Sequence, residues 1–377
     1  MGRTVTRAVL RRLHRWIGLT LALPLMLQAM TGLILAADPF VASIEGAPAA
    51  IGPLTAPSNL RNIDATAVLA AAQAIVPPDQ LPSRWRMLPD AIVAIDFTPP
   101  NQRQPVSQVG VDVVSDQVLW ARENPDQIYR WVHALHETLL LGLPGRSVVG
   151  GIGVGLLLLG VTGIPLWWPP RRHWKTGFTV TPNSRGWWFQ RELHGAAGIW
   201  MVLLLLMQSI SGIALAFPQT ARAIAGLPAA SPRGARPAGG PRLDPAQAIA
   251  AGIAAAEAEF PHAAVQDLRL PGIADRPMVA LLQFDGDHQG SPRATVTMDA
   301  ASARVLSTQD PRNGPTGLAV LDWLHALHDG GAAGPAGRVL TCLFALALPL
   351  FPITGLAMWT IRTRRRRATA DTVPAGQ

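Results

Sequence analysis

The sequence predicts an integral membrane protein with four transmembrane helices in two parallel repeats, carrying two α+β domains outside the membrane. Three observations predict it. Four uncharged apolar runs, residues 17–37, 147–168, 195–218 and 339–361, reach the length of about 20 residues that a bilayer core requires. Arginine is concentrated on three short flanks of those runs. Motifs bearing histidine and glycine recur at fixed offsets. The composition agrees, since only 15% of the 377 residues are charged, against about 25% in ordinary soluble domains. A single cysteine, Cys342, excludes an intramolecular disulfide, a CxxC redox pair and a thiolate metal cage.

The flanks set the topology. Residues 1–16 carry +5, residues 169–194 carry +4 and residues 362–377 carry +4, so the rest of this +8 chain is net acidic. The excess of Lys and Arg on short loops places both termini and the middle loop in the cytoplasm. The basic balance is therefore topological and points away from nucleic acid. Trp167, Trp168, Trp187 and Trp188 fall at the cytoplasmic ends, where amphipathic rings anchor helices. The first run is longer than the 7–15 residues of a signal-peptide core, and it reads as an uncleaved helix.

In chain order the predicted organisation is a cytoplasmic segment and first helix (1–37), then a first outer domain (38–125). A histidine-bearing amphipathic helix and second membrane helix follow (126–168), and then a cytoplasmic loop (169–191). The second half repeats this with a third membrane helix (192–218), an outer domain (219–317), an amphipathic helix with a fourth membrane helix (318–361), and a basic tail (362–377). Each outer domain opens on an Ala-rich helix, 65–76 or 245–260. Strand-like runs follow at 91–97, 109–114 and 117–121, and at 278–284, 294–298 and 304–307, with hairpin turns between them. Residues 231–241, rich in Pro, Gly and Arg, read as a linker.

The repeat is explicit. Leu13, His14, Gly18, Gln28 and Gly32 recur as Leu193, His194, Gly198, Gln208 and Gly212, each offset by 180. The run Trp131-Val132-His133-Ala134-Leu135-His136 recurs as Trp323-Leu324-His325-Ala326-Leu327-His328, offset by 192. Gly145-Arg146 and Thr162-Gly163 recur as Gly337-Arg338 and Thr354-Gly355 at the same offset. Both halves begin in the cytoplasm, so the repeats are parallel.

Helical spacing puts His14, Gly18, Gln28 and Gly32 on one stripe, and His194, Gly198, Gln208 and Gly212 on another. Two such stripes facing each other offer two imidazoles and a glycine-lined cleft, which suits a flat macrocycle with two axial histidines. Packing of small residues between membrane helices is the competing explanation. In the His-x-x-His helices, Ile128, Trp131, Val132, Leu135 and Leu139 form an apolar face, with His136 at its edge and His133 farther round. Val320, Trp323, Leu324 and Leu327 repeat it, with His328 and His325 in the corresponding places. Side chains at i and i+3 project the same way, so one helix cannot supply both axial ligands of one macrocycle. Zinc held by such a pair, or a purely structural polar edge, is also open. No Walker A, HExxH, CxxCH or GxGxxG motif is present, and Gly151/Gly155 reads as helix packing.

The combination of Leu-His-Arg-Trp-Ile-Gly at residues 13–18, His-Ala-Leu-His-x-x-Leu-Leu-Leu-Gly at 133–142 and Thr-Gly-x-x-x-Trp-Trp-Pro at 162–169 resembles the PepSY-associated transmembrane family. Iron-regulated inner-membrane proteins and ferric-siderophore reductases are among its members. The resemblance implies PepSY-like outer domains, a bacterial inner-membrane location and two b-type haems. It further implies His14, His194, His136 and His328 as haem ligands, with His133 and His325 as further candidates and Gly18 and Gly198 lining the cofactor. Its expected partners are a cytoplasmic or membrane electron donor and a ferric siderophore or other Fe(III) chelate. A non-redox membrane anchor whose PepSY domains bind a protease, peptide or metal is the alternative. One departure is visible: Gly195-Ala196 stands where the first half has Arg15-Trp16.

The topology makes a prediction. A reporter fused after Gln377 reads as cytoplasmic and one inserted within residues 231–241 reads as periplasmic; the opposite pattern at either site overturns the helix count.

Overall fold

The computed structural model describes residues 2–44, 63–88, 91–100, 102, 104–123, 127–170, 174–228, 243–270, 277–287 and 291–371. The predicted linker 231–241, together with His173 and His288, lies outside them. The chain opens on α1 (Gly2–Thr20) and α2 (Ala22–Ile44). Their apolar parts meet at 59°. The bend follows from Pro24, which has no N–H for the Thr20 carbonyl; the ladder holds on either side, from Leu21 N to Ile17 O and from Leu25 N to Leu21 O.

The first outer segment contains α3 (Ala65–Gln73), β1 (Leu81–Leu88), β2 (Ile92–Thr98), β3 (Ser107–Asp112) and β4 (Val118–Glu123). Then come α4 (Gln127–Thr138), the long α5 (Gly142–Trp167) and, after a connecting segment, α6 (Gly186–Ala216) with a small α7 (Pro218–Ile224). The second outer segment contains α8 (Pro245–Glu259), β5 (Ala263–Arg269), β6 (Met278–Phe284), β7 (Ala294–Met298) and β8 (Val305–Gln309). It leads into α9 (Thr316–His328), α10 (Gly334–Ala347) and α11 (Leu350–Asp371). Asp64 caps α3 through the amides of Thr66 and Ala67, and Asp244 caps α8 through that of Ala246, satisfying N–H groups that have no partner inside a helix.

Three helical runs are long and apolar enough to cross a membrane: α5, α6 and the run Gly331–Arg365 that includes α10. The bent α1–α2 pair supplies a fourth if it is one span. In the bundle α5 packs on α6 and α1, α11 on α6, and α10 on α2. The short α4 lies on α2 and α5, and α9 on α6.

The outer segments differ from the sequence expectation in one respect. Two separate domains are predicted, whereas the strands form one antiparallel eight-stranded sheet, ordered β4-β3-β2-β1-β5-β6-β7-β8. β1 and β5 meet at its centre through Arg84↔Arg269, Trp85↔Leu268 and Arg86↔Asp267. Left alone, each would be an edge strand with a bare row of amides and carbonyls. One continuous core backs the sheet, combining Val68, Trp85, Ile95 and Phe97 with Ile249, Leu268, Met278 and Leu282. Irregularities in register fall at matching places: between Pro82 and Arg84 and between Val265 and Asp267, then between Gly110 and Val111 and between Thr297 and Met298.

The opposite face of the sheet is polar yet covered. Asp96 is buried and accepts hydrogen bonds from Arg86 (3.1 Å) and Gln108 (2.6 Å). Asp267, also buried, pairs with Arg84 across the β1–β5 seam. Because the carboxylate is only 3% exposed, removing it takes a buried acceptor and its negative charge out of the seam. Asp267→Ala is expected to destabilise the sheet by about 3 kcal/mol and Asp267→Asn by less, measured as thermal loss of the β-sheet circular dichroism signal.

Candidate functional site: two imidazole pairs

A histidine inside an apolar helix bundle needs partners for its ring nitrogens. Four histidines find the same one. Nδ1 of His14 meets the hydroxyl of Thr162 at 2.9 Å, and that of His194 meets Thr354 at 2.7 Å. His136 Nδ1 meets Thr31 at 2.8 Å, and His328 Nδ1 meets Ser211 at 3.0 Å. Each hydroxyl also donates its proton to the carbonyl four residues earlier in its own helix: Leu158 (2.6 Å), Leu350 (2.6 Å), Leu27 (2.8 Å) and Met207 (2.8 Å). With that proton committed, the hydroxyl oxygen accepts and the imidazole Nδ1–H donates. The arrangement therefore assigns one tautomer to all four rings, with the Nε2 lone pair unused by this bond.

A glycine follows every one of these hydroxyl residues and lies against the ring, and at Gly32 and Gly212 its missing side chain makes room for it. A Cβ on Gly32 would stand 3.2 Å from Cε1 of His136, and one on Gly212 3.2 Å from Cε1 of His328. At Gly163 and Gly355 the corresponding distances to His14 and His194 are 3.6 and 4.0 Å. The hydroxyl-glycine dipeptide is thus a seat for an imidazole, used four times.

The rings come together in two pairs, each joining one half of the chain to the other. His14 and His194 have centroids 6.2 Å apart with planes at 79°; His136 and His328 are 6.3 Å apart at 52°. Ser211, which holds His328, lies on the same helix as His194 and 17 residues beyond it, a rise of about 25 Å. Thr31 and Ser211 are inside their apolar runs, so the second pair dips below the outer boundary of the span.

The other predicted residues are placed differently. His133 and His325 point away from both pairs: each is exposed, and His133 stacks on Tyr129 and lies 3.8 Å from Glu137. Gly18 and Gly198 face Leu159 and Phe351, where α1 packs on α5 and α6 on α11. Gln208 donates to the His328 carbonyl at 3.1 Å, whereas Nε2 of the equivalent Gln28 is buried without a partner. Sequence reasoning missed the hydroxyls. Thr31-Gly32, Thr162-Gly163, Ser211-Gly212 and Thr354-Gly355 are all visible in the sequence, and the residue before each repeated glycine was the signal.

The surroundings of the two pairs differ. Near the second, the acid that follows each histidine is paired with the arginine in the first turns of the next membrane helix: Glu137 with Arg146, and Asp329 with Arg338 at 4.0 Å. Arg293, just before β7, is half-buried. Burial pulls its guanidinium below the ordinary arginine value, opposed by Asp267 and Asp329 and reinforced by Arg84 and Arg269. Beside the first pair, Trp167, Trp168, Trp174 and Phe178 make an edge-to-face cluster with ring centroids 5.0–6.3 Å apart. Trp167 lies beside Gly195, the residue that stands where the first half has Arg15.

The family described as PepSY-associated TM region matches residues 11–362. The chain belongs to that family. No curated protein matches it. In this PepSY-associated protein the described residues contain no convergent group of three or more His, Cys, Asp or Glu side chains. Each pair thus offers two imidazoles and no third His, Cys, Asp or Glu among those residues.

Proposed function

We propose that this PepSY-associated protein is a four-span, inner-membrane b-type dihaem protein, built of two parallel repeats with both termini in the cytoplasm. It transfers electrons to Fe(III) in a siderophore or another chelate and releases Fe(II). The observation that carries the reading is the pairing of imidazoles across the two halves, every Nδ1 tied to a hydroxyl. For one haem to take a nitrogen from each ring, the two imidazoles of a pair would have to stand within about 6–7 Å of each other, centroid to centroid. The observed separations are 6.2 and 6.3 Å. A two-imidazole site suits a group that brings its own equatorial nitrogens better than zinc, which takes four ligands.

Haem bound at each pair supplies a one-electron Fe(III)/Fe(II) couple. The chain's own residues do the rest. His14 and His194 hold the inner group, and His136 and His328 the outer one. Thr162, Thr354, Thr31 and Ser211 fix the ring orientation and raise the basicity of Nε2, as outer-shell partners of ligating histidines do. The apolar helices keep water from both sites. The outer sheet is the soluble surface on the side where a ferric chelate arrives. One electron from a cytoplasmic or membrane donor reduces one Fe(III), the donor being oxidised by one electron, and the softer Fe(II) is held less well by the hard oxygen donors of a chelate.

Membranes containing the protein are expected to be red, with a Soret band that shifts on dithionite. His14→Ala or His194→Ala removes one haem per chain, and His136→Ala or His328→Ala removes the other. Full haem content in all four variants rejects the ligand assignment. Thr354→Val keeps the shape of the side chain but not the acceptor, and is expected to weaken inner haem binding about 10- to 100-fold. For the reaction itself, an anaerobic Fe(III) chelate is expected to return the reduced protein to its ferric spectrum while an Fe(II) trap colours in step, and His136→Ala slows this strongly. Failure of every ferric chelate to reoxidise the wild type, together with tight binding of a peptide or protease to the outer sheet, replaces this reading with that of a membrane-anchored binding module.

A further inference from the structure

The two arginines near the start of α5 and α10 have a role that follows from the proposed outer haem. A haem carries two carboxylates, and burying such charges in an apolar span is prohibitive without counter-charge. The outer pair is flanked by acid–arginine couples that repeat across the halves. Glu137 and Asp329 directly follow His136 and His328, and they pair with Arg146 and Arg338. The pairing is not saturating. Asp329 and Arg338 are 4.0 Å apart, too far for a hydrogen bond, and Nε of Arg146 is buried with no partner. Both guanidinium side chains are largely covered, 31% and 20% exposed, as suits a ligand at the edge of the bundle rather than a solvated surface. Positive charge also exceeds negative there: Asp267 and Asp329 already have Arg84 and Arg338 beside them, and Arg293, half-buried, adds a further cation whose charge is felt by both acids.

We infer that Arg146 and Arg338, one from each half, bind the two carboxylates of the haem held by His136 and His328. The inference rests on the haem reading of the outer pair. A guanidinium suits the task because its planar fork matches a carboxylate and its charge is permanent.

The test compares haem with haem dimethyl ester, in which both carboxylates are masked. The full-length protein carrying His14→Ala and His194→Ala, which retains only the outer pair, is prepared free of haem in nanodiscs of neutral lipid and titrated with each compound. Haem is expected to bind at least about tenfold more tightly than the ester. Arg146→Gln and Arg338→Gln each lower haem affinity about tenfold and leave ester affinity unchanged, and Arg338→Lys recovers part of the loss. Circular dichroism checks that the variants keep their fold. Equal affinity for haem and ester before any arginine is changed overturns the inference while leaving the haem reading intact, as does an equal loss of both in the glutamine variants. If those variants bind haem normally but, with the inner histidines restored, need more ferric citrate for half-maximal reoxidation, the arginines serve the substrate instead. Binding of neither compound overturns both the inference and the outer-haem assignment.

Discussion

The hydrogen bond between a histidine Nδ1 and a helix hydroxyl is the contact on which the arrangement of the bundle depends. An imidazole in an apolar span is tolerated when its polar atoms are satisfied, and here a threonine or serine on another helix satisfies one of them. Each hydroxyl is tied in turn to its own helix backbone. A ring is therefore fixed relative to a rigid element rather than to a mobile side chain. The following glycine lets the ring sit against the helix. Because His14 is seated on α5 and His194 on α11, while His136 is seated on α2 and His328 on α6, the four seats also determine how the helices stack.

Much of this was legible in the sequence. The apolar runs gave the long helices, and the 180 and 192 offsets gave the histidines that meet, because a repeated polar residue in an apolar stripe has few reasons to persist. The heptad-like face of the His-x-x-His segments separated His136 and His328 from their exposed neighbours His133 and His325. What escaped was of two kinds. The seats of the rings needed distances between helices, which periodicity within one helix does not supply. The central strands β1 and β5 were hidden because Arg84, Arg86 and Asp267 interrupt their apolar pattern. Those charges sit on a covered polar face, where each finds a counter-charge on a neighbouring strand, and a one-dimensional pattern cannot show that pairing. The joining of two expected domains into one sheet was missed for the same reason, since the strands that join them were the unseen ones.

The halves have also diverged where their surroundings differ. Arg15 stands where the second half has Gly195 beside Trp167, and the aromatic cluster that includes Trp174 and Phe178 holds the segment between α5 and α6 on that side. At the outer end the acid–arginine couples have stayed equivalent, though Glu137–Arg146 is the closer of the two. The inner end is thus the less symmetric of the two.

The central seam has an implication for how such a chain can be built. The pairing of β1 with β5 is centred on Trp85 and Leu268, and it runs antiparallel with equal steps to either side, as the contact between two identical subunits about a twofold axis would. A chain of half this length would offer one imidazole to each pair and leave its first strand bare. Two copies of it, joined edge to edge as a homodimer, would complete both pairs and the sheet. In that homodimer the strand carrying Arg84 and Arg86 would face its own copy, setting arginine against arginine. Joining both halves in a single polypeptide removes that restriction. It lets an aspartate, Asp267, stand opposite Arg86 and form an ion pair with Arg84, so that the Arg84–Arg269 opposition left in the seam has a carboxylate beside it.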